Sequence, residues 1–408
     1  MSLLLEISVV ILVTLACGSL ARRLGQPRVV GEIAGGILLG PSVLGRFAPA
    51  VASSVFPVSS MDSLETLSTI GLILFLFLVG TKVNLKHLAD QRGVASLTSL
   101  ISILFPFAIG AMLASALRTR FAPAEVGNVP FVLFLGIAMS ITAFPVLARI
   151  LEERGIQNSR LGTTAILCAA VDDVIAWTLL AVAVALMGGS SSPLSVPIRM
   201  MILALYIVIM VSVVRPGMAW ILRLRKSTDL SVEVLGLMVA FAFASASVTT
   251  ALGFHPLFGA FLAGICLPRE YSLQQALHDR LDMPVSVLLL PLFFALTGMR
   301  TRLDLLNTPV AWLWAAIILI AATIGKVGGA SLAVRWTGQS WRESLALGVL
   351  LNTRGLVELI VLNIGYSMGV FSSTLFTMLV IMALITTACA APMLDLLGVQ
   401  KVGRPNHQ

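Results

Sequence analysis

Long apolar runs separated by short polar breaks are the feature that most constrains this chain. A transmembrane helix needs about 20 predominantly apolar residues, and thirteen segments of the sequence are candidates for this role. They cover residues 3–21, 29–45, 64–81, 94–117, 129–149, 161–187, 199–222, 230–251, 256–268, 284–299, 311–334, 343–366 and 373–397. Charged residues make up only 11% of the chain, too few to cover the surface of a soluble domain of this length. The sequence therefore predicts an all-α polytopic protein with about thirteen transmembrane helices.

The basic residues predict how these helices cross the bilayer. The formal net charge is +8, but the lysines and arginines form short clusters between the apolar runs. No basic patch is interleaved with aromatic residues, so we expect the lipid bilayer and not a nucleic acid as a partner. With the N-terminus outside, eighteen of the 27 lysines and arginines fall in cytoplasmic loops and six in external loops. This bias predicts a cytoplasmic C-terminus and a location in the cell inner (plasma) membrane.

Two segments share a frame that indicates an internal repeat. Residues 135–151 and 347–363 each contain Leu-Gly, then an interruption by polar residues, Gly or Pro, then an apolar half. They lie seven predicted helices apart and so cross the membrane in opposite directions. That arrangement is typical of the inverted-topology repeats of secondary transporters. The alternative is that the segments are two slightly irregular helices whose similarity is accidental.

The first interruption centres on Pro145. Proline removes one backbone donor and disfavours helix at the preceding residue, Phe144. The hydroxyl groups of Ser140 and Thr142 can satisfy the backbone groups that such a break leaves free. Because backbone outside a helix is tolerated at membrane depth only when it is buried in protein or lines a wet cavity, a break here predicts a substrate site with carbonyl groups able to bind a cation.

The second interruption places Asn352, Thr353 and Gly355 in the corresponding positions. Arg354 and Glu358 follow at an i, i+4 spacing and can form an ion pair. We interpret these five residues as the second broken helix together with a group that either clamps the structure or takes part in gating.

An acidic pair in segment 161–187 is the strongest single feature of the sequence. Asp172 and Asp173 have no compensating charge for about ten residues on either side, and a charge at that depth is costly. Consecutive helical residues point about 100° apart, so one carboxylate can face a cavity while the other faces a protein partner. The pair titrates as a coupled unit, and competition of a proton with a cation for one carboxylate is the simplest basis of exchange. A structural acid pair at a bend is the alternative.

Lys326 lies within another apolar segment, AAIILIAATIGKVGGASLAV. Gly325, Gly328 and Gly329 would allow a second helix to approach closely. A buried ammonium group requires a carboxylate partner, and we expect Asp172 or Asp173 to supply it. The alternative is that the lysine extends toward the cytoplasmic end of its helix.

The sequence contains no recognisable motif of an enzyme or of a cofactor-binding site. No HExxH, GxSxG or Walker-type motif occurs, and the four cysteines have no metal-ligand or redox spacing. We therefore expect no catalytic residue, no resident metal and no cofactor; a monovalent cation bound at Asp173, with Asp172 beside it, would be a transported substrate.

Seven stretches resemble the monovalent cation:proton antiporter-2 family, which includes Kef-type, NapA-type and CHX-type exchangers. The matching stretches are LGQPRVVGEIAGGILLGPSVLG at 24–45, LSTIGLILFLFLVG at 67–80, SITAFPVLARIL at 140–151, AAVDDVIAW at 169–177, GFHPLFGAFLAGICLP at 253–268, PLFFALTGMRTRL at 291–303 and NTRGLVELIVLNIG at 352–365. They extend over essentially the whole chain. Kef-type members often have Gln-Asp and a cytosolic nucleotide-binding tail. The Asp-Asp pair and the short tail of this chain favour a branch other than ligand-gated potassium efflux.

The resemblance implies a fold and a site. The fold would have thirteen helices, two of them broken and crossing as in NapA and NhaA, and would form a homodimer with an elevator-like core. Asp173 would be the ion-binding carboxylate, Asp172 its acidic neighbour and Lys326 the basic residue of the crossing, with Ser140 and Thr142 as ligands. By this scheme the scaffold would comprise 1–90 and 228–305, the transport core 91–190 and 306–398, a linker helix 198–226 and a cytoplasmic tail 399–408.

These observations favour a secondary transporter that exchanges Na⁺ or K⁺ for H⁺ by alternating access. A passive cation channel on the same scaffold would need a continuous polar helix face, whereas the polar groups here cluster at one depth. A sodium-coupled carrier of an organic solute would need a roomier polar cavity.

Overall fold

The computed structural model describes residues 3–82, 94–157, 159–187, 196–224, 231–268 and 271–399. In these ranges the secondary structure is helical and no strand is present. The predicted all-α fold class is confirmed. The predicted tail at 399–408 falls outside the described residues except for its first residue.

Twenty α-helices follow one another along the described ranges. They are α1 Leu3–Arg23, α2 Arg28–Leu39, α3 Leu44–Phe47, α4 Pro49–Val55, α5 Val58–Lys82, α6 Val94–Phe121, α7 Asn128–Ser140, α8 Phe144–Glu153, α9 Arg160–Met187, α10 Val196–Ile209, α11 Arg215–Leu224, α12 Val232–Ala251, α13 Pro256–Cys266, α14 Tyr271–Pro284, α15 Leu290–Arg300, α16 Pro309–Thr323, α17 Gly329–Trp336, α18 Trp341–Leu351, α19 Leu356–Ser367 and α20 Ser373–Leu396. Five-residue π-helical turns at Met210–Val214, Val285–Leu289 and Ile324–Gly328 join helices into longer spans, and a short 3₁₀ turn covers Leu303–Leu305.

The spans agree with a polytopic membrane protein. Among the described residues, ten helices are long and apolar enough to cross a bilayer, and the bent pair α18 and α19 makes an eleventh. The predicted segments 129–149 and 256–268 contain the shorter apolar helices α7 and α13. Predicted segment 284–299 is part of a longer span, Leu273–Leu305. The count of thirteen remains a prediction because helix length alone does not establish it.

One compact unit comprises Met1–Leu15, Pro49–Asn84 and Ala181–Leu296. Its core joins Phe77 of α5 to Met238 of α12 and Leu262 of α13. Glycines let α5 and α13 touch, since a Cβ atom at Gly264 would overlap the Phe77 carbonyl oxygen. This unit contains none of the predicted site residues.

The other compact unit comprises Ala16–Ala48, Leu85–Leu180 and Thr297–Gln408. Its core joins Leu147 of α8, Ala169 of α9 and Leu350 of α18. Every predicted site residue lies in this unit. The assignment of residues to a dimerisation scaffold, a transport core and a linker concerns movement and assembly, and it stays a prediction.

Two arginines bind the C-terminal end of α20 and the residues that follow it. Arg154, next to the end of α8, donates to the carbonyl oxygens of Ala391 at 2.7 Å and Val399 at 2.6 Å. It also pairs with Asp395 at 2.8 Å. Arg342, at the start of α18, donates to the carbonyl oxygens at the same helix end. Ala391 lies within α20, and the acceptors Leu397, Gly398 and Val399 directly follow its last residue. These contacts join the C-terminal end of α20 to the end of α8 and the start of α18.

We predict that Arg154→Met destabilises the protein by about 2 kcal/mol, because it leaves buried acceptors without a donor. Arg342→Met is the matched control, since Arg342 is exposed and its loss should cost less than about 1 kcal/mol. Equilibrium unfolding in detergent micelles measures both. Equal losses in the free energy of unfolding would show that the burial of Arg154 does not determine its contribution to stability.

Candidate functional site

Two broken helices meet at their interruptions. α7 ends at Ser140 and α8 begins at Phe144, while α18 and α19 are bent by 45° across residues 352–355. The backbone N–H of Ala143 donates to the carbonyl oxygen of Thr353 at 2.9 Å. A Cβ atom at Gly355 would lie 2.7 Å from Val146 Cγ2, so only glycine allows this approach. Each break thereby satisfies backbone groups of the other, as burial at membrane depth requires.

The first break lies upstream of the position expected from the proline. Residues 141–143 leave the helix, and Phe144 is already helical, contrary to the expectation that it would be excluded. Pro145 is the second residue of α8. Proline is tolerated in the first turn because its missing N–H would have no partner there.

Cations occupy the carbonyl end of α7. Arg354 donates through its Nη atoms to the carbonyl oxygens of Ala138 at 2.5 Å and Met139 at 2.7 Å. The ammonium group of Lys326 donates to the carbonyl oxygen of Ser140 at 2.5 Å. These carbonyls have no partner within α7, and the negative end of the helix dipole favours positive charge. Arg354 of the second break and Lys326 of the π-helical turn Ile324–Gly328 therefore stabilise the end of α7.

Arg354 also pairs with Glu358, at 3.0 Å between Nη1 and Oε1, and both side chains are fully buried. Glu358 belongs to the first turn of α19, where a carboxylate is favoured by the helix dipole. The hydroxyl of Thr387 donates to the Arg354 carbonyl oxygen at 2.7 Å and accepts from its N–H at 3.0 Å. These contacts support the structural clamp, and a gating role stays a prediction.

Lys326 lies in the π-helical turn Ile324–Gly328 and is fully buried. Its ammonium has three N–H groups, and three acceptors receive them: the carbonyl oxygens of Ser102 at 2.9 Å and Ser140 at 2.5 Å, and Asp172 Oδ2 at 2.8 Å. The Ser102 carbonyl is free because Pro106, four residues later within α6, has no N–H to donate to it. A proline in one helix therefore creates an acceptor for a lysine from another.

Glycines bring the helix of Lys326 against α6. A Cβ atom at Gly325 would lie 2.9 Å from Pro106 Cα, and one at Gly329 would lie 2.9 Å from Phe105 Cβ. Gly328 was expected to share this role, but a Cβ atom there would have no neighbour within 4 Å, so this glycine does not form the contact.

Asp172 has a complete set of partners. Its Oδ1 accepts from the hydroxyls of Ser99 at 2.9 Å and Ser102 at 3.4 Å. Its Oδ2 lies 2.8 Å from Lys326 Nζ and 2.8 Å from the hydroxyl of Thr142. A buried carboxylate paired in this way offsets much of its desolvation cost. Asp172 is therefore held in place by α6, by the π-helical turn that contains Lys326 and by the first break.

Asp173 differs from its neighbour. It is 3% exposed, yet its Oδ1 has no hydrogen-bond partner in the part of the chain that the structure describes. Successive helical side chains point about 100° apart, which gives adjacent acids different surroundings. A buried acceptor oxygen without a donor is costly, whereas both oxygens of the adjacent Asp172 have donors.

The structure brings Thr142, Asp172, Lys326 and the two breaks together. Ser140 contributes its carbonyl group, while its hydroxyl donates to the carbonyl of Gly136 at 2.6 Å and is already occupied. Sequence patterns did not single out four residues that contact this site, namely Ser99, Ser102, Pro106 and Thr387. Serines three residues apart followed by a proline in an otherwise apolar helix are a signal that could have identified the first three.

The fold and site define a membrane transport protein in which two broken helices cross beside a buried ion pair and a second carboxylate. The model of the sodium/hydrogen exchanger transmembrane family matches residues 9–397, and the chain belongs to that family. The predicted membership among cation/proton antiporters is confirmed.

Relatives cover the whole chain. It is 42% identical over 395 residues to the Na⁺/H⁺ antiporter NhaS4 of Synechocystis sp., covering 96% of each protein. It is 40% identical to cation/H⁺ antiporter 17 of Arabidopsis thaliana, covering 98% of this chain but 49% of that protein. The solved structure of the sodium proton antiporter MjNhaP1 from Methanocaldococcus jannaschii has the same fold, with a TM-score of 0.68 at 17% identity and coverage of 98% of each chain.

We predict that Lys326 and Asp172 are strongly coupled in stability. Lys326→Gln should destabilise the protein because it leaves a buried carboxylate without its cation, and adding Asp172→Asn should restore part of the loss. A double-mutant cycle measured by unfolding in detergent should give a coupling of about 1 kcal/mol or more. Additive losses would contradict the pairing.

Proposed function

We propose that this protein exchanges Na⁺ or K⁺ for H⁺, with Asp173 as the carboxylate that binds the two substrates in turn. The observation that carries the proposal is the difference between two adjacent buried acids. Asp172 has donors at both oxygens, whereas Asp173 Oδ1 has none in the described part of the chain. The partners of Asp172 hold it in place, and Asp173 is left to exchange its ligand.

Competition for Asp173 couples the two fluxes. A carboxylate in a low-dielectric site is stabilised by a proton or by a cation, and occupancy by one disfavours the other. If the site opens to one side of the membrane at a time, loading a cation on one side and a proton on the other yields exchange. The interruptions at 141–143 and 352–355 supply backbone groups outside helices, which is typical of transporter sites near the bilayer midplane.

We also propose the arrangement in the membrane. The excess of lysine and arginine in alternate loops supports an external N-terminus and a cytoplasmic C-terminus in the cell inner (plasma) membrane. Membership of the exchanger family supports a homodimer in which residues 1–90 and 228–305 form the scaffold. Residues 91–190 and 306–398 would form the core that carries the ion. Surrounding lipid and a second copy of the chain would then be its partners.

We predict that Asp173→Asn abolishes cation-driven proton flux in proteoliposomes. The change removes the negative charge while nearly preserving volume, so the variant should insert and unfold as the wild type does. Proton flux is measured with a pH-sensitive dye after addition of Na⁺ or K⁺. Thr386→Val is the matched control within the same unit, because the buried Thr386 hydroxyl donates to Met382 and Ala383 of its own helix and its loss should leave exchange largely intact. Substantial flux through Asp173→Asn would disprove the assignment.

The same vesicles distinguish the two other transport functions. A passive channel would conduct Na⁺ or K⁺ down an imposed voltage with no proton movement, and a solute carrier would show sodium-dependent uptake of an organic compound. We expect neither, because the polar groups of the site lie at one depth and are mostly bonded to one another.

A further inference from the structure

The crossing of the broken helices leaves buried acceptors without donors. In the described part of the site these are Asp173 Oδ1, Asn352 Oδ1 and Glu358 Oε2. Buried acceptor oxygens require a hydrogen-bond donor, a water molecule or a cation. The same crossing leaves one buried donor without an acceptor, Arg354 Nε, so acceptors without partners outnumber donors in the described part of the site. Since oxygen atoms are the ligands that monovalent cations use in place of their hydration shell, this excess of acceptors favours a cation.

Asn352 is not needed to hold the second break together. Its own N–H donates to Gly348 at 3.0 Å, and the hydroxyl of Thr353 donates to Leu350 at 2.8 Å. The Thr353 carbonyl accepts from Ala143 at 2.9 Å. The backbone of the break is thus satisfied by other groups. The Asn352 side-chain oxygen, on a residue that is 4% exposed, has no partner among the described residues.

Asn352 lies one residue from a hydrogen-bonded connection to the acidic pair. It directly follows Leu351, whose carbonyl oxygen lies 2.8 Å from the Thr142 hydroxyl. The same hydroxyl lies 2.8 Å from Asp172 Oδ2. One side chain therefore links the residue before Asn352 to the residue before Asp173.

We propose that Asn352 supplies a neutral oxygen ligand to the cation bound by Asp173. This inference rests on the proposed exchange function and extends it, because it names a residue that affects the two substrates differently. A proton needs only the carboxylate, whereas a cation needs several oxygens around it. Asn352 therefore favours cation binding over proton binding at the same site.

The test compares Asn352→Leu with Asn352→Asp in proteoliposomes. Leucine removes the oxygen at similar volume and should raise the half-saturating Na⁺ or K⁺ concentration about tenfold, equivalent to ~1.4 kcal/mol. Aspartate keeps an oxygen at this position and its negative charge does not oppose a cation, so the half-saturating concentration should be no more than about threefold above that of the wild type. The second readout is the Tm with added Na⁺ or K⁺. The cation should raise the Tm of the wild type and of Asn352→Asp, and at the same concentration it should raise the Tm of Asn352→Leu much less.

Asn363 provides the matched control. It is also a buried asparagine, but its Oδ1 accepts from Arg300 at 2.9 Å and its Nδ2 donates to Thr297 at 2.9 Å. Asn363→Leu should lower the Tm without cation while leaving half-saturation unchanged.

The outcomes separate the two proposals. If the wild type exchanges cations for protons and Asn352→Leu keeps wild-type half-saturation, the ligand role is wrong and exchange stands. If the wild type shows no exchange with Na⁺ or K⁺, the proposed function itself fails. Should Asn352→Leu not insert, Asn352→Ala is measured instead, and unchanged half-saturation in that variant likewise overturns the ligand role.

Discussion

The site depends on satisfying one buried ammonium group. Lys326 is fully buried, so its three N–H groups need acceptors within the protein, and these acceptors come from three different elements. Two of them are backbone carbonyl groups that have no N–H partner within their own helix. Pro106 interrupts the hydrogen bonding of α6 at one, and α7 ends at the other. The third is Asp172. The lysine, the proline and the break are therefore parts of a single arrangement, since removing any one leaves a buried polar group without a partner.

The crossing of the broken helices follows the same logic of helix ends. An interrupted helix exposes carbonyl groups at one side and N–H groups at the other. Arg354 and Lys326 bind the carbonyl end of α7, and Glu358 lies in the first turn of α19. Opposite charges thus occupy opposite helix ends, as the macrodipole favours. The bond from Ala143 to Thr353 then joins the two breaks directly.

Two adjacent acids with different surroundings are the basis of the proposed exchange of ions. Asp172 receives hydrogen bonds at both oxygens and holds Lys326 in position. Asp173, one residue later on α9, presents an oxygen that has no donor in the described structure. In the proposed mechanism the Lys326–Asp172 ion pair holds the surrounding elements together, while Asp173 exchanges one bound ion for the other.

The sequence by itself determined the membrane class, the acidic pair, the buried lysine and the two interruptions. Each depends on local chemistry: the length of an apolar run, the cost of a charge within it, and the effect of proline or glycine on a helix. Only the tertiary structure decided the partners. Lys326 bonds to residues 154 and 224 positions away in the sequence. Ser99 and Ser102 lie 73 and 70 positions from Asp172. No periodicity within a segment could have assigned these partners. The start of α8 at Phe144 was likewise decided by tertiary bonds at residues 142 and 143, because they satisfy the break before Pro145 is reached. Asp172 and Asp173 differ because different residues surround them in the fold. Two adjacent residues of the same type do not reveal that difference in the sequence.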